Sequence, residues 1–453
     1  MRVLSLMSGR KRAVSSCFST ALLLLLGVAD LLPISSQAAP SSPATDRLMD
    51  AVLEKGDARP LVGLAAVRLH DGKVIYSYYG GARFLGGDGV LPVRHDTLFR
   101  VASVSKLLTT IGLMQLVEQG KVNLDADASD YLGFRLRNPA FPDTPITVRM
   151  LITHTSSLRD DKGYLIPPDQ TIASVFDTSQ PPGKTGYHYA SDPKQGPGAW
   201  FEYSNLGYAV LGTIIERVSG ERFDRYISTH VLDPLGIDGG FNVLELKHPE
   251  RLATIYRQFP EGLRATMDLP HVGNWPKEAI DHYQVGTNGA VFSPQGGLRI
   301  SLDGLTTLAN FMIHRGTSDQ VHILSPETIR VMEKPEWIFN GHNGTGTDDD
   351  HAPLVTYGLT IATLLSAAQH PAIPDAPYPG YEGGLRGHMG IAYGLRSGFW
   401  YDPDTGDALL FAATGFPSDE GTLPGKYSGF SRVEELIFSA LADADGKKPS
   451  SHR

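Results

Sequence analysis

The stretch "DTLFRVASVSKLLTTIGLMQLVEQGKVNLDADASDYL" (residues 96–132) is the most specific part of this 453-residue sequence. Ser103 and Lys106 stand three positions apart, and apolar residues at helical spacing follow at once. Three residues make almost one helical turn, so the two side chains are predicted to share a face. A serine hydroxyl becomes a nucleophile when a neighbouring base takes its proton. Taken alone, however, the spacing is also that of a helix-capping serine and a solvated lysine.

A second polar cluster, in "GPGAWFEYSNLGYAVLG" (196–212), precedes another helical pattern. Tyr203 is a candidate general base, because a nearby lysine can stabilise its phenolate. Asn205 offers both a donor and an acceptor to a substrate amide. An ordinary aromatic residue at the edge of the core is the alternative for Tyr203.

A third cluster, in "EGGLRGHMGIAYGLRSGFWYD" (382–402), is predicted where a C-terminal strand begins. Gly387 and Gly390 would let a substrate backbone approach the strand closely. His388 adds a hydrogen-bonding group, with a structural imidazole as the alternative.

These clusters occur in a fixed order as Ser103-x-x-Lys106, Tyr203-x-Asn205 and His388-x-Gly390. In that order they resemble the penicillin-recognising serine hydrolases, which include class C β-lactamases, D-Ala-D-Ala carboxypeptidases, D-amino-acid peptidases and β-lactamase-like esterases. The connecting segments 145–158, 296–312 and 357–361 also resemble the family, so the likeness runs from about residue 45 to 442.

The resemblance implies a catalytic role for three residues and a substrate-binding role for a fourth. Ser103 would be the acylated nucleophile. Lys106 and Tyr203 would act as a coupled pair that serves as the general base and protonates the leaving group. The role of acylation base is not assigned to one of the two. Asn205 would position Lys106 and the substrate.

The resemblance also implies a substrate-docking strand. His388 and Gly390 would lie on this strand, and the backbone N–H groups of Ser103 and Ile391 would form the oxyanion hole. β-Lactamases usually carry Lys-Thr-Gly at the third position, where the lysine pairs with a substrate carboxylate. His388 is a weaker anchor for an anion. Arg386, predicted on the same strand face, is a candidate for the missing charge, with a salt-bridged surface arginine as the alternative.

The predicted fold is α+β, with an antiparallel sheet built from both chain ends and flanked by helices. Strand-like runs flank Asp71-Gly72 in 61–80 and "DPDTG" in 390–415, and helical patterns cover 44–56 and 431–444. Further helical patterns occupy 106–120, 205–220 and 223–236. The expected organisation is a sheet domain (41–104 and 286–445), a mostly helical insertion (105–285) and a polar tail (446–453).

The first 38 residues have the pattern of a signal peptide. A basic region precedes an apolar run and small residues near Ala38. A membrane anchor is the competing interpretation, but Asp30 and Pro33 interrupt the run, which falls short of the roughly 20 residues that a span needs. The protein is therefore predicted to be exported, periplasmic or secreted, and to lose Cys17, its single cysteine.

The charge balance limits the partners. The chain carries a net charge of −9, and without residues 1–38, which hold four basic and one acidic side chain, it carries −12. Nucleic acid binding and stable membrane insertion are disfavoured, and a small-molecule or peptide substrate is expected. The oligomeric state stays open. No cofactor or metal is expected, because the acidic segment 342–353 matches neither a calcium loop nor a zinc helix.

Two further motifs are discounted. Gly183-Lys184-Thr185 resembles the end of a P-loop, but position 178 is threonine where a P-loop has glycine. The resemblance implies that His154 belongs to a structural turn. The sequence leaves a peptidase or amidase acting on D-amino-acid or cell-wall-type peptides level with an esterase. A true β-lactamase and a catalytically silent sensor or scaffold are the remaining alternatives.

Overall fold

A large antiparallel sheet forms the centre of the fold. The computed structural model describes residues 42–444 except 57–58, 88, 162, 178–187, 270–271, 319–320, 349–352, 367, 370–374 and 418–421. Its strands are β1 (Gly63–His70), β2 (Lys73–Gly86), β3 (Gly89–Pro92), β4 (Phe99–Arg100), β5 (Gly239–Gly240), β6 (Ile255–Phe259), β7 (Gly262–Met267), β8 (Arg299–Ile300), β9 (Thr317–Ser318), β10 (Val321–His322), β11 (Trp337–Ile338), β12 (Thr356–Tyr357), β13 (Ala362–Thr363), β14 (Arg386–Ala392), β15 (Leu395–Asp402) and β16 (Asp407–Thr414). The helices are α1 (Pro43–Lys55), α2 (Ser105–Glu118), α3 (Ser129–Leu132), α4 (Val148–Ile152), α5 (Ile172–Val175), α6 (Asn205–Ser219), α7 (Phe223–Ile227), α8 (Lys277–Asp281), α9 (Leu302–Ile313), α10 (Pro326–Glu333) and α11 (Arg432–Asp443).

Both chain ends contribute to this sheet, whose described strands run in the order β11-β12-β13-β14-β15-β16-β1-β2-β3. The two ends meet where β1 pairs antiparallel with β16, from Gly63 opposite Thr414 to Leu69 opposite Ala408. The predicted α+β fold, with an antiparallel sheet from both ends and flanking helices, is confirmed.

Helices cover both faces of the sheet, and the side chains of β1 show why. Ala65, Val67 and Leu69 belong to the core cluster that contains α2, α6 and α9, whereas Leu64 and Ala66 belong to the cluster of α1 and α11. Successive strand residues point to opposite faces, so the four consecutive apolar residues at 64–67 need cover on both. Each large apolar side chain buried in this way contributes about 1.5–3 kcal/mol.

Two tight turns organise the sheet. The predicted hairpin around Asp71-Gly72 is present, and both turn residues have positive φ, at 50° and 69°. The segment 390–415 differs from its prediction, because a second turn at Tyr393-Gly394, with φ of 59° and 102°, separates β14 from β15. Positive φ at both central residues is typical of two-residue hairpin turns.

The helix α2 is buried on every side from Ser105 to Met114. Its apolar residues follow the predicted helical spacing, but Thr109 and Thr110 on the remaining surface are also fully buried. A helix without a polar face belongs inside a protein, and α2 packs against α6 there. The segment predicted as one helix over 223–236 forms α7 and then a π-helical turn at Ser228–Leu232.

Two of the sequence predictions concern the ends of the chain. The predicted signal peptide with Cys17 and the polar tail lie outside the described residues. Within the described ranges, no helix has the length and apolar character needed to cross a membrane.

Candidate active site

Ser103 lies in a tight turn between a strand and a helix. The chain passes from β4 into a 3-10 turn at Ala102–Val104, and α2 begins at Ser105, so Ser103 stands two residues ahead of the α-helix. Ala102 has a φ of 42°, which is unusual for a residue with a side chain. Strained backbone of this kind is found at functional sites, where the surrounding structure holds it in place.

Lys106 is fully buried, and three separate segments supply acceptors for its ammonium group. Its Nζ lies 3.0 Å from Ser103 Oγ, 2.8 Å from Asn205 Oδ1 and 3.0 Å from the backbone oxygen of Gln295. These acceptors match the three N–H groups of a protonated amine. A charge in the interior requires such bonds in place of water. The structure therefore brings Ser103, Lys106 and Asn205 into direct contact. Sequence analysis missed Gln295, because a backbone oxygen carries no residue-specific signal.

Tyr203 reaches the same ammonium group from the start of α6. The N-cap of α6 is Ser204, whose hydroxyl accepts a hydrogen bond from the backbone N–H of Gly207 at 3.3 Å. This cap places the buried Tyr203 immediately before the helix. Nζ of Lys106 lies 4.6 Å from the centroid of the Tyr203 ring, within the range of a cation–π interaction.

Asp160 holds the start of α6. Its carboxylate accepts hydrogen bonds from the Ser204 hydroxyl at 3.0 Å and from the backbone N–H groups of Asn205 at 2.6 Å and Leu206 at 3.0 Å. N–H groups in the first turn of a helix lack intrahelical acceptors and attract negative charge. Asp160 is thus a positioning residue for Tyr203 and Asn205. Sequence analysis missed it, because it belongs to none of the three motifs and the contact spans more than 40 positions of the chain.

His388 is buried behind Tyr203. Its Nδ1 lies 2.5 Å from the backbone oxygen of Met389, and only a protonated nitrogen can bind a carbonyl oxygen. Its Nε2 is therefore the acceptor in neutral imidazole, with the Tyr357 hydroxyl at 3.1 Å and the Tyr203 hydroxyl at 3.5 Å.

His154 extends this hydrogen-bond chain beyond Tyr357. Its Nδ1 accepts from the backbone N–H of Ser204 at 3.1 Å, which leaves Nε2 to donate to the Tyr357 hydroxyl at 3.2 Å. Burial and then the charge of Lys106 lower the pKa of His388 to about 3 and the pKa of His154 well below its ordinary value. Both imidazoles are therefore neutral near pH 7. The donor and the acceptor of each hydrogen bond from His154 through Tyr357 to His388 are thereby determined.

Gly390 allows β14 to approach the Ser103 turn. A Cβ atom at position 390 would lie 2.2 Å from the backbone oxygen of Val101, 2.5 Å from Ser397 Oγ and 3.1 Å from the backbone nitrogen of Ser103. The first two distances are too short for any real contact. The glycine of the third motif is therefore required by the contact between this strand and the Ser103 turn.

Arg386 lies at the start of the same strand but does not join the site. Its Nη1 is 2.8 Å from Glu333 Oε2, and its Nη2 is 3.7 Å from Asp404 Oδ2. Two residues along a strand are separated by about 7 Å, enough for Arg386 and His388 to reach different partners. Arg386 thus shares Glu333 and Asp404 with Arg315, as in the salt-bridged alternative, and its role as a substrate anchor stays a prediction.

A cavity of about 230 Å³ opens above Ser103. Ser103, Asn205, Gln295 and Ile391 line it together. The two residues expected to supply the oxyanion hole, Ser103 and Ile391, therefore border the same space. The cavity is large enough to admit part of an acyl substrate beside the serine hydroxyl.

Two segments discounted in the sequence lie wholly or partly beyond the described residues. Lys184 is outside them, as are positions 349–352 of the acidic segment. Where the chain is described, no group of three histidine, cysteine, aspartate or glutamate side chains is arranged to hold a metal ion.

Sequence comparison relates the chain to known hydrolases. The family model described as Beta-lactamase matches residues 46–428. The chain is 31% identical to esterase EstB of Burkholderia gladioli, over 52% of this chain and 60% of that protein. It is 29% identical to the D-alanyl-D-alanine-carboxypeptidase/endopeptidase AmpH of Escherichia coli K12, over 44% of this chain and 49% of that protein. The chain thus spans about half to three fifths of the length of these relatives.

Structural comparison relates the fold to solved hydrolases. EstCE1, described as a hydrolase with promiscuous acyltransferase activity, superposes with a TM-score of 0.63 at 23% identity, over 88% of this chain and 97% of that one. A class C beta lactamase from Rhodobacter sphaeroides gives a TM-score of 0.58 at 17% identity, over 88% of this chain and 99% of that one. At these identities the likeness establishes the shared fold.

Gly390→Ala is expected to lower kcat/KM by about 100-fold or more, because the added methyl group pushes β14 away from the Ser103 turn by a good part of an ångström. Ester hydrolysis by the purified variant measures this, and Gly87→Ala is the control because a Cβ there meets nothing within 4 Å. Unchanged activity of a folded Gly390→Ala variant would contradict the close approach.

We expect the folded protein to lose stability in acid because two of its histidines are buried. Their pKa values in the folded protein lie below the unfolded value of about 6.5, so below that pH the unfolded chain takes up protons that the folded chain cannot. The free energy of unfolding should therefore fall on acidification, by up to about 1.4 kcal/mol per pH unit for each imidazole. Urea denaturation between about pH 7 and pH 5 measures the slope, which should be shallower in His388→Asn. Equal slopes would contradict a neutral, buried His388.

Proposed function

Because the chain belongs to the beta-lactamase family, we propose that it is a serine hydrolase that forms an acyl-enzyme on Ser103. The observation that carries the proposal is the contact between Ser103 Oγ and the buried Lys106 Nζ, at 3.0 Å, on the floor of a cavity. A surface lysine beside a capping serine would not be fully buried or bonded to Asn205.

In acylation, the Ser103 oxygen attacks the substrate carbonyl carbon as its proton passes to the Lys106–Tyr203 pair. The acceptors around Nζ favour a protonated lysine in the resting state. Proton transfer from Ser103 therefore requires the reactive form of the pair to lack one proton, as a Tyr203 phenolate that the lysine charge stabilises and that accepts the Ser103 proton. The carbonyl oxygen becomes an oxyanion, and the backbone N–H groups of Ser103 and Ile391 are its proposed donors.

Collapse of the oxyanion breaks the bond between the carbonyl carbon and the leaving group. The leaving nitrogen or oxygen takes the proton that the pair received from Ser103. Water then attacks the acyl-enzyme and gives one proton to the same pair. The bond between the carbonyl carbon and Ser103 Oγ breaks, the pair returns the proton to Oγ, and the acid is released. Asn205 keeps Lys106 aligned throughout, and Asp160 keeps Asn205 in place.

Ester and amide bonds are the proposed targets, with an esterase and a D-amino-acid or cell-wall-type peptidase as the two leading activities. Similarity to EstB supports the first, and similarity to AmpH supports the second. The neutral imidazole at position 388, where a β-lactamase usually has a lysine, makes a true β-lactamase less favoured. We also propose that the protein is exported, because residues 1–38 have the pattern of a signal peptide.

Ser103→Ala is expected to abolish both covalent labelling and turnover. Intact mass after incubation with a fluorophosphonate should show one adduct on the wild type and on Ser174→Ala, an exposed serine control, but none on Ser103→Ala. A panel of p-nitrophenyl esters, D-amino-acid anilides and a cephalosporin then separates the activities. Turnover of esters alone would refute the peptidase, and a wild type without any adduct would support a catalytically silent binding protein.

A further inference from the structure

The wall of the cavity above Ser103 is positively charged. Arg100, Arg257 and Arg396 all line it, whereas no described aspartate, glutamate, lysine or histidine does so. This contrasts with the whole chain, whose net charge is −9. Guanidinium groups in a concave, partly desolvated site attract anions much more strongly than the same groups on an open surface.

Two of the three arginines have carboxylate partners behind the cavity wall. Arg100 donates from Nε to the backbone oxygen of Gly296 at 2.8 Å, and its Nη1 lies 3.8 Å from Asp268, which also pairs with Arg299. Arg396 pairs with Glu434 at 3.1 Å. Both arginines are therefore built into the framework as well as exposed to the cavity.

Arg257 differs from these two arginines. It lies in the middle of β6, and no carboxylate of the described residues pairs with it. Its guanidinium group packs over the Phe259 ring, 5.8 Å from the centroid, and its Nε is buried without a hydrogen-bond partner. Arg100 Nη1 is also buried without a hydrogen-bond partner, so the feature that distinguishes Arg257 is that no carboxylate of the described residues pairs with it.

The β14–β15 turn brings Arg257 next to the strand that carries Ile391. A Cβ at Gly394 would lie only 2.8 Å from the Cα of Arg257, so β6 and this turn are in close backbone contact. Arg257 therefore lies on the cavity wall next to the β14–β15 turn, and Ile391 lines the same cavity. Arg386, on the opposite end of β14, is held by Glu333 and cannot supply a charge to the cavity.

We propose that this cavity selects substrates bearing a carboxylate and that Arg257 is the residue that binds it. The planar guanidinium group matches a carboxylate through two parallel hydrogen bonds. The proposal rests on the proposed function, because it concerns the substrate of the same site. The carboxylate belongs either to the acyl group or to the leaving group, and the substrates below distinguish these sources.

Matched esters test the selectivity in kcat/KM. The leaving-group pair is para-acetoxybenzoate and para-acetoxybenzamide, and the acyl pair is monophenyl adipate and phenyl hexanoate. In at least one pair, the anionic substrate should be preferred, and Arg257→Gln should lower that preference about 10- to 100-fold, the range for a lost hydrogen bond to a charged group. Turnover of the neutral ester should not change.

Arg264→Gln is the matched control, because Arg264 faces Arg257 in the register of the β6–β7 hairpin, packs over the same Phe259 ring and does not line the cavity. Its variant should keep the wild-type preference. A preference that is absent in both pairs, or that Arg257→Gln leaves unchanged, would overturn the proposal.

A binding measurement separates this proposal from the proposed function. Calorimetry with the Ser103→Ala variant compares N-acetyl-D-alanine and adipate with their amides, and needs no turnover. N-acetyl-D-alanine corresponds to the leaving-group pair, and adipate corresponds to the acyl pair. We expect the acid that corresponds to the preferred pair to bind at least about 10-fold tighter than its amide. This difference should disappear when Arg257→Gln is added. Equal binding of acids and amides refutes the carboxylate site even if the wild type is active. Selective binding of acids by a protein that forms no adduct would retain the site and refute the hydrolase.

Discussion

The buried ammonium group of Lys106 connects the parts of the chain on which the site depends. Its acceptors are Ser103 in the turn before α2, Asn205 at the start of α6 and the backbone of Gln295. A buried charge is destabilising by several kcal/mol when a bonding partner is lost. The folded state is therefore stable only when these three segments converge, and their convergence is also what places the serine hydroxyl beside its proposed base.

Burial and the same charge keep the neighbouring histidines neutral. A second cation near Lys106 in a low-dielectric interior would be repelled, which is one reason that the pKa values of His388 and His154 are lowered. Neutral imidazoles can instead hold the direction of the hydrogen-bond chain through Tyr357. Because its imidazole is neutral, His388 offers no positive charge to a substrate. In this protein the positive charge of the cavity wall comes from arginines outside the three motifs.

Local features of the site could be predicted from the sequence. The Ser103–Lys106 pair follows from helical spacing, and the hairpin at Asp71-Gly72 follows from the turn preference of its residues. Tyr203 and His388 were identified through their order along the chain and the resemblance that this order carries. The turn at Tyr393-Gly394 was missed, although its glycine is a turn residue, because the stronger "DPDTG" signal lies close by.

Contacts between distant segments could not be predicted in this way. Asp160 caps a helix that begins about 45 positions later, and nothing in its local sequence marks it as a partner of Asn205. Tyr357 joins His154 to His388 only because β12 and β14 belong to one sheet. Such contacts depend on which elements pack together.

The sequence by itself therefore determined the fold class, the order of the three motifs and the chemical types of the site residues. These depend on periodicity, turn preference and side-chain chemistry, all of which are local. Only the tertiary structure decided which charges are neutralised. Arg386 and Arg257 are both strand arginines, yet Glu333 pairs with one and no described carboxylate pairs with the other. Electrostatic energy depends on distance in space, and that distance exists only in the folded chain.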